Sequence, residues 1–228
     1  MSRAMPSSSP KTRRFDLIVF DWDGTLFDST ALITRCIQAA AADLGLPVPS
    51  DEAASYVIGM GLTEALQHAV PELPAERYPE LGQRYRHHYF NRQHELVLFP
   101  GTLDMLHALK ERNHWLAVAT GKSRRGLDEA LQTVQLQGLF DATRTADETA
   151  GKPHPRMLLE LMAVIGASPQ RTLMIGDTTH DLQLARNAGT ASVGVGFGAH
   201  AHEAFAPLGP LHVAHSTADL AGWLLQHG

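Results

Sequence analysis

Two short apolar runs, each leading straight into a pair of aspartates, constrain this chain more than any other feature. Phe15–Phe20 runs into Asp21-Trp22-Asp23-Gly24-Thr25, and Thr172–Ile175 runs into Gly176-Asp177-Thr178-Thr179-His180-Asp181. A short, continuous apolar run closed by polar residues reads as a buried strand. Around these two, strand-like and helix-like segments alternate. Helices are predicted over Leu103–Arg112, Ser123–Leu136, Pro155–Ile165, Asp181–Ala188 and Ala218–Gln226, and strands over His114–Thr120, Ala191–Phe197 and Leu211–Ala214. The alternation predicts an α/β fold, a Rossmann-like parallel sheet flanked by helices. Open sheets of this kind hold their ligands at the carboxyl ends of the strands, where both aspartate pairs fall.

One stretch breaks the alternation. From Ser29 to Leu96 no strand is evident, whereas Leu32, Ile33, Cys36, Ile37, Ala40, Ala41 and Leu44 recur at helical spacing, with Ser29 or Thr30 as N-cap. Further helices are predicted over Glu52–Ile58, Leu62–Val70 and Glu76–Glu95. The expected organisation is therefore a frayed, Ser/Pro-rich tail over residues 1–13, an α/β core over 14–28 and 97–228, and a small all-helical domain over 29–96. Its turn Ile58-Gly59-Met60-Gly61-Leu62 is a candidate substrate-facing loop, with a plain interhelical turn as the alternative.

Bulk composition narrows the partners. With 19 Lys and Arg against 24 Asp and Glu, the formal charge of −5 gives no reason to expect nucleic acid. No apolar run approaches a membrane span, so no membrane association is expected. A lone Cys36 excludes an intrachain disulfide and fits a reducing compartment, so a cytoplasmic protein is expected, as monomer or homodimer.

The aspartates have a shared chemistry. Carboxylates at i and i+2, on a chain leaving a strand, can project to the same side, one attacking while the other handles a proton. Gly24 would allow close backbone approach there. Thr120 and Gly121, ending another strand, offer a hydroxyl and N–H groups suited to a phosphate oxygen. Lys152 sits in Gly151-Lys152-Pro153-His154-Pro155, where two prolines stiffen the mount of a cation. Asp177 and Asp181 supply hard oxygen ligands of the kind Mg²⁺ takes.

Together these four segments, in this order, resemble the haloacid dehalogenase superfamily of phosphohydrolases, and more narrowly its phosphoglycolate phosphatase-like branch. The resemblance implies a helical cap over residues 29–96 and hydrolysis of a small phosphate ester, 2-phosphoglycolate first, through an aspartyl-phosphate. It implies Asp21 as nucleophile and Asp23 as general acid/base, with Thr120, Gly121, Gly24 and Lys152 around the phosphoryl group. Mg²⁺ would be held by Asp21, the Asp23 carbonyl and Asp177, with Asp181 supporting.

The second segment reads Thr120-Gly121-Lys122, where Thr-Asn or Ser-Asn is common in the family. Lys122 and Arg124 are thus either extra phosphate-side cations or the solvated start of a helix. Trp22 stands where an aliphatic residue is common, and its side chain is expected to turn into packing. Asp23 argues against a dehalogenase, and the absence of lysine between Lys11 and Lys110 removes a cap Schiff base. A sugar phosphomutase resembling β-phosphoglucomutase is the enzymatic alternative, and a non-catalytic binding protein on the same fold is the other. The histidines at 87, 88, 94, 200 and 202 lack zinc spacing and are expected at surface positions.

Overall fold

In a computed structural model that describes residues 13–228, the described strands form one six-stranded sheet. These are β1 (Leu17–Phe20), β2 (Trp115–Thr120), β3 (Ala142–Thr145), β4 (Thr172–Gly176), β5 (Ala191–Val195) and β6 (Val213–Ala214). Their order is β3-β2-β1-β4-β5-β6, and every neighbouring pair is parallel. The tail expected over residues 1–13 lies outside the described residues except for Arg13.

Around the sheet stand α1 (Thr30–Asp43), α2 (Asp51–Tyr56), α3 (Leu62–Ala69), α4 (Tyr78–Arg92), α5 (Thr102–Glu111), α6 (Arg124–Thr133), α7 (Arg156–Ile165), α8 (Thr179–Ala188) and α9 (Thr217–His227). The all-apolar sequence of β1 follows from its place between two layers. Ile18 and Phe20 pack into one layer with Leu106 and Leu109 of α5 and Leu220 of α9. Leu17 and Val19 pack into the other, against Met157, Leu158 and Leu161 of α7 and Leu184 of α8. A parallel sheet covered on both faces needs apolar residues at every position, not at alternate ones.

β3 was not predicted from the sequence. Its Ala-Thr-Arg-Thr lies at the sheet edge with only Thr145 buried, so it carries no apolar signal. The other core elements fall within two or three residues of the predicted bounds, apart from the shorter β6 and the earlier start of α8, whose first turn takes in Thr179 and His180.

The strand order fixes where the site is. From β1 the chain crosses to β2 and then β3 on one side, and returns to β4 and β5 on the other. The connections therefore diverge at β1 and β4, leaving a crevice at the carboxyl ends of these two strands. Asp21 follows β1 and Asp177 follows β4, so both open onto that crevice.

Between β1 and α5 the described chain forms only helices, including two single 3-10 turns, with α1 packed chiefly on α4. The strands of chain entering and leaving this stretch are tied together. Asp28 N–H donates to the Val97 carbonyl at 2.9 Å and Phe99 N–H to that of Leu26 at 3.0 Å. No described helix is long and apolar enough to cross a membrane.

Candidate active site

Asp21, Asp177 and Asp181 are fully buried, and one carboxylate oxygen from each lies within 4.8 Å of the others. Lys152 is buried among them. Its ammonium stands 2.8 Å from Asp21 Oδ1 and 2.7 Å from Asp181 Oδ1. Asp181 serves two ends at once: its Oδ2 accepts from the Thr178 hydroxyl at 2.7 Å and from Thr178 N–H at 3.1 Å, closing the capping box of α8. Asp181 is thus at once the acid of a helix N-terminus and a neighbour of Lys152 in the buried cluster.

Asp21 Oδ1 is further held by Trp22 N–H at 2.7 Å, whereas its Oδ2 is buried and has no protein hydrogen-bond partner. Trp22 itself turns into packing, with its ring centroid 5.5 Å from that of Phe27. Asp177 is held at both oxygens, by the Thr25 hydroxyl at 2.9 Å and by Ala199 N–H at 2.8 Å.

Three buried carboxylates against one ammonium leave excess negative charge. Burial, opposed by Lys152 and reinforced by Asp181, pushes the Asp21 carboxyl well above the usual range. Burial first and the Asp181 charge second push Asp177 up to about 7. Carboxylates that share a low-dielectric site this way hold protons unless a cation joins them. The orphaned Asp21 Oδ2 and the hard-oxygen donor set fit a Mg²⁺-sized divalent ion.

The backbone N–H of Gly24 is used within its own turn, where it donates to the Phe27 carbonyl at 2.9 Å. Glycine is required there because φ is +77° and a β-carbon would overlap the Asp177 carboxylate.

Two side chains reach Asp23 directly. Ser29 donates its hydroxyl to Oδ1 at 2.7 Å, which is why this N-terminal residue of α1 makes no side-chain cap. Lys122 stands 3.1 Å from Oδ2 and donates to the Tyr89 hydroxyl of α4 at 2.9 Å. Burial alone would lower the Lys122 pKa, but Asp23 and the two tyrosines more than offset it and hold the ammonium charged. Lys122 is therefore not a solvated helix start: its ammonium is held between Asp23 and Tyr89. Arg124 is committed to Glu148, through both guanidinium ends.

Thr120 is buried, and its hydroxyl oxygen accepts from Lys122 N–H at 3.2 Å, leaving its own hydrogen to donate. Gly121 lies under the Gly59-Met60 turn so closely that a β-carbon would overlap the Met60 carbonyl oxygen. A β-carbon built on Gly59 would stand 3.8 Å from Asp21 Oδ2, so the turn covers the oxygen that has no partner. Met60, Asp23, Gly121 and Lys122 share the wall of one cavity.

His200 corrects the expectation of a surface histidine, and His180 was not singled out at all. Both are buried, and the Nε2 of each lies 2.9 Å from the Tyr56 carbonyl oxygen at the end of α2. The His200 and Tyr56 rings also stack, 5.1 Å apart and 7° from coplanar. Two rings from the core thereby pin the chain just before the Gly59-Met60 turn. No spacing rule could have linked positions 180 and 200 to Tyr56, because the contact crosses between separate elements. His87, His94 and His202 are exposed and His88 is half-buried, so these four lie as expected.

A doubly covered parallel sheet, with buried carboxylates and a lysine gathered at its switch point, is the framework of a phosphoryl-transfer enzyme. The model of the haloacid dehalogenase-like hydrolases matches residues 18–195. The probable phosphatase IndB of Dickeya dadantii is 33% identical over 212 residues, spanning 90% of this chain and 92% of that one. The phosphoglycolate phosphatase of Aliivibrio fischeri is 34% identical over 191 residues, spanning 80% and 84%. Among solved structures, a hydrolase from Pseudomonas syringae superimposes with a TM-score of 0.84 at 25% identity, covering 92% of this chain and 98% of its own. The chain belongs to the haloacid dehalogenase-like hydrolase family, in its phosphoglycolate phosphatase-like branch. Its activity is that of a phosphoric monoester hydrolase.

Proposed function

We propose that this phosphatase is Mg²⁺-dependent and hydrolyses a small phosphorylated metabolite, 2-phosphoglycolate or a similar ester, through an aspartyl-phosphate on Asp21. The observation that carries the reading is the split environment of the Asp21 carboxylate: Oδ1 is held by Lys152 and Trp22 N–H, while Oδ2 is unpartnered under the Gly59-Met60 turn. One oxygen is fixed and the other is left to react.

In this mechanism Asp21 Oδ2 forms the bond to phosphorus as the bond to the leaving oxygen breaks. Asp23 gives that oxygen its proton, then takes one from the water that cleaves the aspartyl-phosphate, releasing phosphate and restoring Asp21. Ser29 and Lys122 hold Asp23 in place, and the Thr120 hydroxyl and Gly121 N–H are the donors to phosphoryl oxygens. Asp21, the Asp23 carbonyl and Asp177, supported by Asp181, would hold Mg²⁺, which neutralises the charge of the phosphoryl group. Lys152 fixes Asp21 and Asp181 against their mutual repulsion. Residues 29–96 act as a cap, joined to the core by the paired linkers at Asp28 and Val97.

Metal removal tests this reading. After exhaustive chelation, phosphate release from 2-phosphoglycolate and related esters should fall to background and return with Mg²⁺. Mn²⁺ or Co²⁺ should substitute, whereas Ca²⁺ should inhibit because it relaxes the tight octahedral geometry. Full turnover in the chelated protein would exclude the metal-dependent mechanism.

A further inference from the structure

The cavity that Asp23, Gly121 and Lys122 share with Met60 has a volume of about 500 Å³ and extends between the core and α1, α3 and α4. Away from Asp23 its wall is formed chiefly by Ile33, Ile37, Met60, Leu62, Tyr85 and Phe90. A pocket of this volume with a mostly apolar wall suits a drug-sized ligand. A two-carbon acid would leave most of that wall in contact with water.

The charges in the wall point the same way. Its carboxylates are Asp23, Glu64 and Asp147, and its cations are Lys122 and Arg86. Lys122 is already paired with Asp23. Arg86, Glu64 and Asp147 are exposed, so the other charges of the wall stand at its solvent rim. Inside that rim Lys122 is the lining cation, and its pairing with Asp23 leaves none free to receive a carboxylate on the leaving group. The Tyr85 hydroxyl stays neutral in this setting, because burial raises its pKa well above the ordinary value.

We infer that the preferred substrate is a phosphate monoester whose leaving alcohol is uncharged and carries an apolar or aromatic body several carbons larger than glycolate. The inference rests on the phosphatase reading of the site and sets a bulkier, uncharged ester in place of 2-phosphoglycolate as the preferred substrate. The phosphoryl group sits beyond the Asp23 and Gly121 end of the cavity, and the body of the alcohol lies along α1 and α4.

The test compares kcat/KM, with Mg²⁺ present, for ethyl, butyl and hexyl phosphate and for 2-phosphoglycolate. The alkyl leaving groups have closely similar basicity, so the series reads burial. Each methylene taken from water should raise kcat/KM about fourfold, equivalent to ~0.8 kcal/mol. Hexyl phosphate should lead and 2-phosphoglycolate should fall below butyl phosphate. Met60→Asp, which sets a charge in the apolar wall, should flatten the series. Phe90→Ser, at a ring already 37% exposed, should flatten it partly and is the variant to use if Met60→Asp does not fold. A flat or falling series with good turnover overturns this inference and leaves the phosphatase reading standing. So does a 2-phosphoglycolate preference that Arg86→Gln abolishes, since Arg86 would then be the carboxylate receptor. No phosphate release from any of the esters would overturn both.

Discussion

Asp21→Asn is expected to lower turnover on the order of 10⁶-fold, the scale seen when a covalent nucleophile is removed. An amide carries no charge at the oxygen that must bond to phosphorus, and Asp21 Oδ2 is the carboxylate oxygen that the Gly59-Met60 turn covers. The fold should survive. An asparagine oxygen can still accept from Trp22 N–H and Lys152, the two contacts that hold Oδ1 now. Steady-state phosphate release together with a thermal melt checks both halves: activity lost, melting temperature retained. A variant with a tenth of the parental activity would remove Asp21 from the role of nucleophile.

Lys152→Met should cost stability as well as activity. The side chains of Lys152, Asp21 and Asp181 are all effectively sealed from solvent. Taking away the one ammonium leaves buried carboxylates without a counter-charge, a change that typically costs about 3–5 kcal/mol. The cost should depend on pH, and its sign follows from linkage. Lys152 lowers the Asp21 pKa, so its loss moves that folded-state value further above the unfolded one. The native state then holds protons that the unfolded state has given up, and stability falls as pH rises through the interval between the two values. Denaturant melts of the chelated proteins should therefore show a small deficit near pH 4 and a large one at pH 8. An equal deficit at both would mean that Lys152 contributes packing rather than charge balance. Activity should be lost at either pH, since Asp21 Oδ1 loses the cation that orients it.

The sheet was legible because its strands are covered on both faces. Leu17–Phe20 and Thr172–Ile175 must be apolar throughout, and no other element of a small α/β chain looks like that. The carboxylates were legible for a related reason: strand ends at the switch point must face the crevice, so Asp21 and Asp177 could be placed before any coordinate was known. What sequence spacing cannot carry is contact between separate elements. The link from Tyr89 through Lys122 to Asp23 joins α4 to the loop after β2, and its partners lie 33 positions apart. The pairing of His180 and His200 on the Tyr56 carbonyl spans more than 120 positions. The close approach expected at Gly24 is steric in origin: its N–H is used by the local turn, and a β-carbon there would overlap Asp177. β3 escaped because a short edge strand with one buried residue has almost no pattern to read.

The central claim is a covalent phosphoryl group on one oxygen of one carboxylate, and trapping that intermediate tests it most directly. The protein with Mg²⁺ should be mixed with a labelled phosphate ester, quenched in acid within milliseconds, reduced with borohydride and digested. Borohydride converts an aspartyl-phosphate to homoserine, so the modified position can be read by peptide mass. The account predicts homoserine at position 21 in the parental protein, more of it in Asp23→Asn when the ester is p-nitrophenyl phosphate, whose leaving group scarcely needs a proton while water activation stays impaired, and none in Asp21→Asn. Homoserine at position 23, or phosphate release at the full parental rate with no trapped carboxylate at any quench time, would contradict it.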